Sequence, residues 1–484
     1  MPVLRGLAGK TFSVHVLGCR TNFYEAEALA SMLEIKGASF LKESPNPADI
    51  VIILTCSVTS IADAKTRKLI RRARRANKSA VIAACGCSVQ QISPEEAAEL
   101  GADILIGSRM KRALPDILEE WFAPLEGPSA VCRGREVIVL RDRDIGKNRE
   151  WDGLSLDRPR LRVRAFVKVQ DGCDRRCSYC VVPFVRGAEA SRPLPDVIRE
   201  VSGIVGSGCG EAVLTGVHIG AYDSGGTGLA GLIRSLSGIK GLRRLRMGSL
   251  EPFAVNSGLL CALKDSPVFC PHLHLPVQSG DDEVLARMRR GYGADWLRGM
   301  IGMVREALGD DVHISTDLIV GFPGETDGAF ERSLRMLEEL GFGRVHVFPF
   351  SPREGTDAAA MDGRVRPELI KERVARAVDL SGRLLSRFAS RRIGMEEEIF
   401  CESSEAFVPR PHGEPRETDG GGALSLVSGW TRRYLKAYTL SPGHDFEGSE
   451  IAISPKSEIG GILLGDGIAR EDIRVLSGEQ NLAF

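Results

Sequence analysis

What most constrains the fold of this chain is an alternation that runs through most of its length. Short apolar runs are each followed by a stretch of helical periodicity. Residues 13–17, Asp49-Ile-Val-Ile-Ile-Leu54, residues 80–84 and residues 104–106 read as strands, and 24–36 and 63–76 as helices. Such alternation implies a parallel sheet with helices on its faces. Between 123 and 160 the pattern breaks at Pro124, Gly127, Pro128 and the charged run Arg141-Asp-Arg-Asp144, which reads as a linker. It resumes with strands at 165–169, 211–215, 243–248, 272–275, 313–320 and 344–349. Helical stretches such as 196–205 and 282–290 lie between them, and six such units suggest an open or partial barrel.

Beyond residue 393 short strand-like pieces are separated by glycines, as in Gly460-Gly-Ile-Leu-Leu-Gly465, and suggest a small β-barrel. Its middle, 409–422, is rich in Gly, Pro and charge and reads as a mobile loop. The expectation is an α/β multidomain chain. It has a parallel α/β domain over 1–122, a linker over 123–160, a partial (β/α) barrel over 161–392, a small β-barrel over 393–470 and a tail over 471–484. A length of 484 residues agrees with about three domains.

Lys plus Arg and Asp plus Glu both total 64, so the net charge of zero gives no global sign of a nucleic-acid partner. Any RNA contact must come from local patches. The first twenty residues lack the apolar core of a signal peptide. No apolar run reaches the ~18 residues of a transmembrane helix. The cytoplasm is the expected location, where grouped cysteines are ligands more often than disulfides.

The twelve cysteines are grouped unevenly. Asp171-Gly-Cys173-Asp-Arg-Arg-Cys177-Ser-Tyr-Cys180 places three thiols in one loop after the first barrel strand. Three thiolates on a four-iron cube leave one iron open, free to bind S-adenosylmethionine. A structural zinc loop would want a fourth ligand, and none of that spacing lies nearby. A second set is spread out: Gly18-Cys19-Arg-Thr-Asn22, Thr55-Cys56-Ser-Val-Thr59 and Cys85-Gly-Cys87 each follow a strand. Strand ends of a parallel sheet line one crevice, so these thiols either meet as a second cluster site or are separate buried cysteines. Cys132, Cys209, Cys261, Cys270 and Cys401 read as ordinary thiols.

The Cys173–Cys177–Cys180 spacing resembles that of the radical S-adenosylmethionine superfamily. The remaining motifs resemble its methylthiotransferases, over nearly the whole chain. That resemblance implies a Cys173, Cys177, Cys180 cluster for radical formation, with Tyr179 beside the adenine. It also implies an auxiliary cluster on Cys19, Cys56 and Cys87, because Cys87 follows Gly86 in the family's Gly-Cys element whereas Cys85 does not. The family's Asn before Thr-Cys is Leu54 here. Thr215-Gly216 matches the strand end that holds the methionine amino group, and Glu251 and Gln278 stand where ribose or methionine atoms would be bonded. The Ile319–Glu325 string matches an adenine-touching segment. There Gly321 and Gly324 serve either close approach or a tight turn. The C-terminal part resembles a TRAM domain.

The resemblance further implies a reaction. Two 4Fe–4S clusters and two molecules of S-adenosylmethionine add a methylthio group at carbon 2 of an adenosine next to the anticodon. Thr55–Thr59, Val169–Cys173, Leu214–Tyr222, Ser249–Pro252 and His346–Pro352 look most like the branch acting on threonylcarbamoyladenosine. An isopentenyladenosine or ribosomal-protein substrate is the alternative within the chemistry. A non-catalytic iron–sulfur RNA-binding module is the alternative outside it. The expected partners are tRNA and a reducing electron donor, with no membrane and no DNA.

Two segments offer RNA contacts. Lys65 to Lys78 holds eight Lys or Arg and no acid, with Arg71, Arg72 and Arg75 facing outward. That is either a solvated helix face or a phosphate-binding surface beside the auxiliary cluster. If residues 430–438 form one strand, Trp430, Arg432, Tyr434, Lys436 and Tyr438 share a face, suited to base stacking or to aromatic packing under snorkelling cations.

Overall fold

The computed structural model describes residues 7–42, 48–57, 59–123, 136–406 and 424–468. The loop expected at 409–422, the tail at 471–484 and Cys132 lie outside these residues. The N-terminal domain runs β1 (Thr11–Val16), α1 (Arg20–Ile35), β2 (Ser39–Phe40), β3 (Ile50–Thr55), α2 (Ser60–Ala76), β4 (Val81–Gly86), α3 (Pro94–Leu100), β5 (Ile104–Ile106), α4 (Leu114–Phe122) and β6 (Ile138–Leu140). All six strands are parallel, in the order β2-β1-β3-β4-β5-β6. Every residue of β3 and β4 is buried, as expected of central parallel strands covered on both faces. Thr59 and Ser93 cap α2 and α3 through their hydroxyls, and Gly101 closes α3 in the left-handed conformation.

Of the linker expected over 123–160, residues 124–135 lie outside the described residues, and 138–140 form β6, which pairs parallel with β5 as the sheet's edge strand. Leu154 and Leu156 beyond it are buried in the main core. A three-residue apolar run among charges carries too little periodicity to be read as a strand.

The central domain runs β7 (Ala165–Lys168), β8 (Gln170–Asp171), α5 (Val182–Val185), β9 (Ala190–Ser191), α6 (Leu194–Gly206), β10 (Glu211–Thr215), β11 (Asp223–Ser224), β12 (Thr227–Gly228), α7 (Leu229–Ser237), β13 (Arg244–Met247), α8 (Ser257–Asp265), β14 (His272–His274), α9 (Asp282–Arg287), α10 (Ala294–Leu308), β15 (His313–Val320), α11 (Asp327–Glu339), β16 (Arg344–Pro349) and α12 (Pro367–Ser390). Two three-stranded parallel sheets, β7-β10-β13 and β14-β15-β16, are joined by the bridges Leu245↔Phe269 and Ser249↔His274. The six expected strands therefore form one arc, and among the described residues no pairing joins β7 to β16.

The C-terminal strands are β17 (Glu397–Ala406), β18 (Leu424–Thr431), β19 (Lys436–Pro442), β20 (Glu450–Ile453), β21 (Ser457–Ile459) and β22 (Ile462–Leu464). They form one curled sheet in the order β20-β17-β18-β19-β22-β21. Ile399, Val427, Leu435 and Leu463 pack with Phe388 of α12 as a separate core. The single strand expected over 430–438 is corrected to a hairpin: β18 ends at Thr431 and β19 starts at Lys436. Thr431 closes the turn by accepting from the Tyr434 amide at 3.0 Å and, through Oγ1, from the Leu435 amide at 3.1 Å. Tyr434 sits at φ 62°, which breaks the alternation of faces.

Candidate active site between two cysteine triplets

The first triplet lies in the loop after β8. The Cys173 amide donates to Gly187 O at 3.0 Å, and Ser178 ties the loop to the end of α9 through Arg287 O at 2.7 Å and Met288 O at 3.1 Å. Gly172 turns the loop at φ 71°, where a Cβ would stand 2.0 Å from Ala188 O. Burial pushes the thiols of Cys173 and Cys180 up to about 12, and neighbouring thiols act in the same direction. Thiols in such a place ionise when a cationic group binds them. Among the described residues neither triplet closes to the 4.8 Å spacing of a single-ion site. A tetrahedral zinc, with Zn–S near 2.3 Å, would need thiolates that close. Thiols spaced beyond the reach of one ion leave room for a polynuclear group.

Arg290, which sequence patterns did not single out, organises this end of the arc. Its Nη1 lies 3.4 Å from both Cys177 Sγ and Tyr179 Oη. Its Nη2 pairs with Glu251 and donates to Pro276 O at 2.9 Å. The Tyr179 ring meets Phe322 edge-on with centroids 6.4 Å apart. Thr215 is buried at the end of β10, and a Cβ on Gly216 would lie 2.8 Å from Gln170 O. Gln278 follows β14 at φ 72°, its amide bonded to Asp317 O at 2.9 Å. Glu189 and His218, hydrogen-bonded at 2.8 Å, lie within 4.8 Å of Cys173. The space at Gly321 is taken by Ile370, whose Cγ1 would stand 2.4 Å from an added Cβ, and that at Gly324 by Arg287. On the side where a Cβ would stand, both glycines are thus closed off by side-chain packing at the turn.

The second triplet gathers where the strands of the N-terminal sheet end. Cys19 caps α1 and is exposed, whereas Cys56 and Cys87 are buried. Gly18, at φ 93°, lets the Cys19 loop press on Cys56: a Cβ there would lie 2.6 Å from Cys56 Cβ. Asn22 binds both segments, donating to Leu17 O at 2.6 Å and Thr55 O at 3.0 Å. Leu54, in the family's Asn position, is buried in the core. Cys85 lies within β4 and packs in that core, apart from the crevice. Burial raises the Cys87 thiol, Arg186 opposes this, and Cys19 adds to it, so the two thiols sense each other.

The two triplets face each other across the domain junction. Cys87 packs on Val181, the residue after Cys180, and on Val185. Arg186 reaches into the N-terminal domain, with Nε 3.2 Å from Cys87 Sγ and Nη2 2.8 Å from Asn22 Oδ1. Its Nη1 lies 3.1 Å from both Glu25 and Asp171. Lys168 bonds Glu25 at 3.0 Å and Asp152 and Asp171 at 2.7 Å, and Lys111 bonds Glu25 at 3.2 Å. This network is buried throughout, and Asp171 sits two residues before Cys173. Sequence reasoning missed it because its members are scattered from α1 to the loop after α5.

The expected RNA residues are dispersed. Arg71, Arg72 and Arg75 are exposed on α2. Arg71 and Arg75 line a cleft of about 700 Å³ with Lys78 and Trp121, beside the residues that precede β4 and β5. That is the opposite end of the sheet from the cysteines, so their expected position beside the auxiliary cluster is corrected. Trp430 is buried, stacks on Tyr434 at 4.6 Å and donates Nε1 to Glu402 at 2.7 Å. Arg432 is turned onto the central domain, with Nη2 on Pro267 O at 3.1 Å and Phe269 O at 3.3 Å. Lys436 lies 3.5 Å from Glu402. The shared open face expected for these residues does not form, because the hairpin tip docks inward.

Residues 11–107 match the model described as uncharacterized protein family UPF0004, and 167–337 match the radical SAM superfamily. A Thermotoga maritima protein described as a threonylcarbamoyladenosine tRNA methylthiotransferase is 35% identical over 395 residues, covering 81% of this chain and 87% of its own. The chain belongs to the radical S-adenosylmethionine methylthiotransferases. A Bacillus subtilis relative of this methylthiotransferase, with the same description as the Thermotoga protein, is 33% identical over 88% of this chain and 89% of its own. A Zymomonas mobilis relative described as a tRNA-2-methylthio-N6-dimethylallyladenosine synthase is 34% identical over 81% and 86%. The solved radical S-adenosylmethionine methyltransferase TsrM from Kitasatospora setae shares the fold, with a TM-score of 0.55 at 14% identity over 78% of this chain and 89% of that one. As a radical SAM methylthiotransferase, the chain works with a 4Fe–4S cluster and S-adenosylmethionine. Among the described residues no helix is long and apolar enough to cross a membrane.

Proposed function

We propose that this methylthiotransferase adds a methylthio group to carbon 2 of N6-threonylcarbamoyladenosine, 3′ of the anticodon at tRNA position 37. The observation that carries the reading is the meeting of two thiol triplets across one buried junction, Cys87 against Val181. Cys173, Cys177 and Cys180 would hold the cluster that works with S-adenosylmethionine, and Cys19, Cys56 and Cys87 a second 4Fe–4S cluster. Bound at the first triplet, the cluster supplies the electron that cleaves S-adenosylmethionine to a carbon radical strong enough to take the unactivated C2 hydrogen. The chain's residues do the positioning. Arg290 fixes Tyr179 and Glu251 around Cys177, with Thr215, Gly216 and Gln278 at neighbouring strand ends as further cofactor contacts. Arg186 donates to Cys87, and Val181 and Val185 keep water from the gap.

The C-terminal sheet is read as a TRAM-like module, and Arg71, Arg72 and Arg75 as phosphate contacts for the tRNA. A reducing electron donor and a cytoplasmic location complete the reading. Mass spectrometry of tRNA nucleosides from cells with and without the gene tests it. Loss of the methylthio form of threonylcarbamoyladenosine alone is expected. Loss of the isopentenyl counterpart would move the substrate to the other branch, and no change in any tRNA nucleoside would direct the search to a protein substrate.

A further inference from the structure

We propose that the lumen of the central arc holds an anion site, formed by Arg20 and Arg344 beside His346, that binds the carboxylate of the threonylcarbamoyl substituent. This rests on the substrate reading above and adds how the substituent is recognised.

Side chains alternate along the strands, so His272 and His274 of β14, His313, Ser315 and Asp317 of β15, and Arg344 and His346 of β16 share the inner face. The contacts agree. Ser315 Oγ lies 2.9 Å from both His272 Nε2 and His274 Nδ1, and His274 Nε2 lies 3.1 Å from Asp317. The His274 and His346 rings are 5.4 Å apart. Asp317, Arg344 and His346 are partly exposed on this face.

Arg20 enters the lumen from the N-terminal domain. It directly follows Cys19, the exposed thiol of the second triplet, and its Nη2 donates to Tyr434 Oη at 3.1 Å. Arg164 and Arg246 also lie over the Tyr434 ring, at 5.5 and 5.2 Å. Those two have carboxylate partners, Glu402 at 3.0 Å and Glu211 at 2.7 Å. Arg20 has no carboxylate partner among the described residues; the partner it has is a phenol. The cationic surplus is felt by that phenol: burial would raise its pKa, yet Arg20, Arg164 and Arg246 draw it down to about 8. An apolar N6 substituent would bring nothing to this guanidinium. A threonylcarbamoyl group brings a carboxylate, which an arginine binds in a charge-assisted, bidentate manner. His346, kept neutral by burial and by His274, offers a ring nitrogen to the substituent's hydroxyl.

The test uses the full chain with its clusters reconstituted and two anticodon stem-loop RNAs. One carries threonylcarbamoyladenosine, and the other carries its carboxamide in place of the carboxylate. Binding is read by fluorescence anisotropy and turnover by the methylthio product. The wild-type chain is expected to bind the carboxamide RNA roughly 10–100-fold more weakly, the worth of a hydrogen bond to a charged group. Arg20→Gln should bind the two RNAs alike, and Arg344→Gln should narrow the gap. Equal wild-type affinity for both RNAs overturns the site even if neither variant folds, as does full discrimination in both variants. Turnover of the carboxylate RNA without discrimination sinks this inference alone. Turnover of neither RNA, with product formed from a third stem-loop carrying isopentenyladenosine, sinks the substrate reading with it.

Discussion

Removing the Arg186 guanidinium would strip Glu25 and Asp171 of a cationic partner where neither reaches water. Breaking a buried pair from one side costs about 3–5 kcal/mol, so Arg186→Met should lower the unfolding free energy of the metal-free chain, read from denaturant titration, by that much. A loss under ~1 kcal/mol would mean that Lys168 and Lys111 carry the network alone. The cysteines divide by position. On the two-cluster reading, Cys87→Ala is expected to lose part of the bound iron and the methylthio product while 5′-deoxyadenosine still forms. Cys85→Ala should keep both, since Cys85 packs in the core; equal iron loss in the two variants would contradict this. The Cys173 loop was legible because its ligands lie within eight residues of one another. Arg186 and Arg290 were not, because their partners lie far along the chain, Glu25 being 161 residues from Arg186. An arginine after a helix carries no mark of that in its neighbours.

Elements were readable where their pattern was long. The bounds of β10, β15 and β16 match those expected from apolar runs and breakers. The 431–436 turn contains no Gly, Pro or Asn and was hidden by alternating aromatics and cations, while β6 is only three residues long. Single glycines also govern how elements meet. Gly18→Ala would force φ 93° on a residue with a Cβ and press it 2.6 Å from Cys56 Cβ. We expect a loss of more than ~1 kcal/mol and a fall in iron per chain, checked by unfolding and iron assay. Normal iron loading would show that the Cys19 loop can shift. For α2, changing Arg71 and Arg75 to Gln should reduce the slope of log affinity for tRNA against log salt by about 1–2, the loss of one or two phosphate contacts. An unaltered slope would leave α2 as a solvated face.

The whole molecule joins its three parts through the lumen, and that should show in its acid stability. Burial pushes His313 and His346 down to about 4; His346 faces His274, Asp317, Arg344 and Arg20, and His313 faces Arg344 and His274. Folded values below the unfolded value near 6.5 mean that the folded state binds fewer protons. Stability is then fully present above about pH 6.5 and falls towards pH 4, by up to ~1.4 kcal/mol per pH unit for each histidine. Urea midpoints at pH 7.5, 6.0 and 5.0 should track this fall, and His313→Phe should flatten it; a level profile would show that these histidines protonate in place. The contact between Arg20 and Tyr434 spans 414 residues. At a synthesis rate of roughly 5–20 residues per second, the hairpin tip leaves the ribosome about 20–80 s after Cys19 does. Until then the nascent chain has no finished chamber around its thiols. The enclosure of these thiols is thus completed only once almost the whole chain has been made.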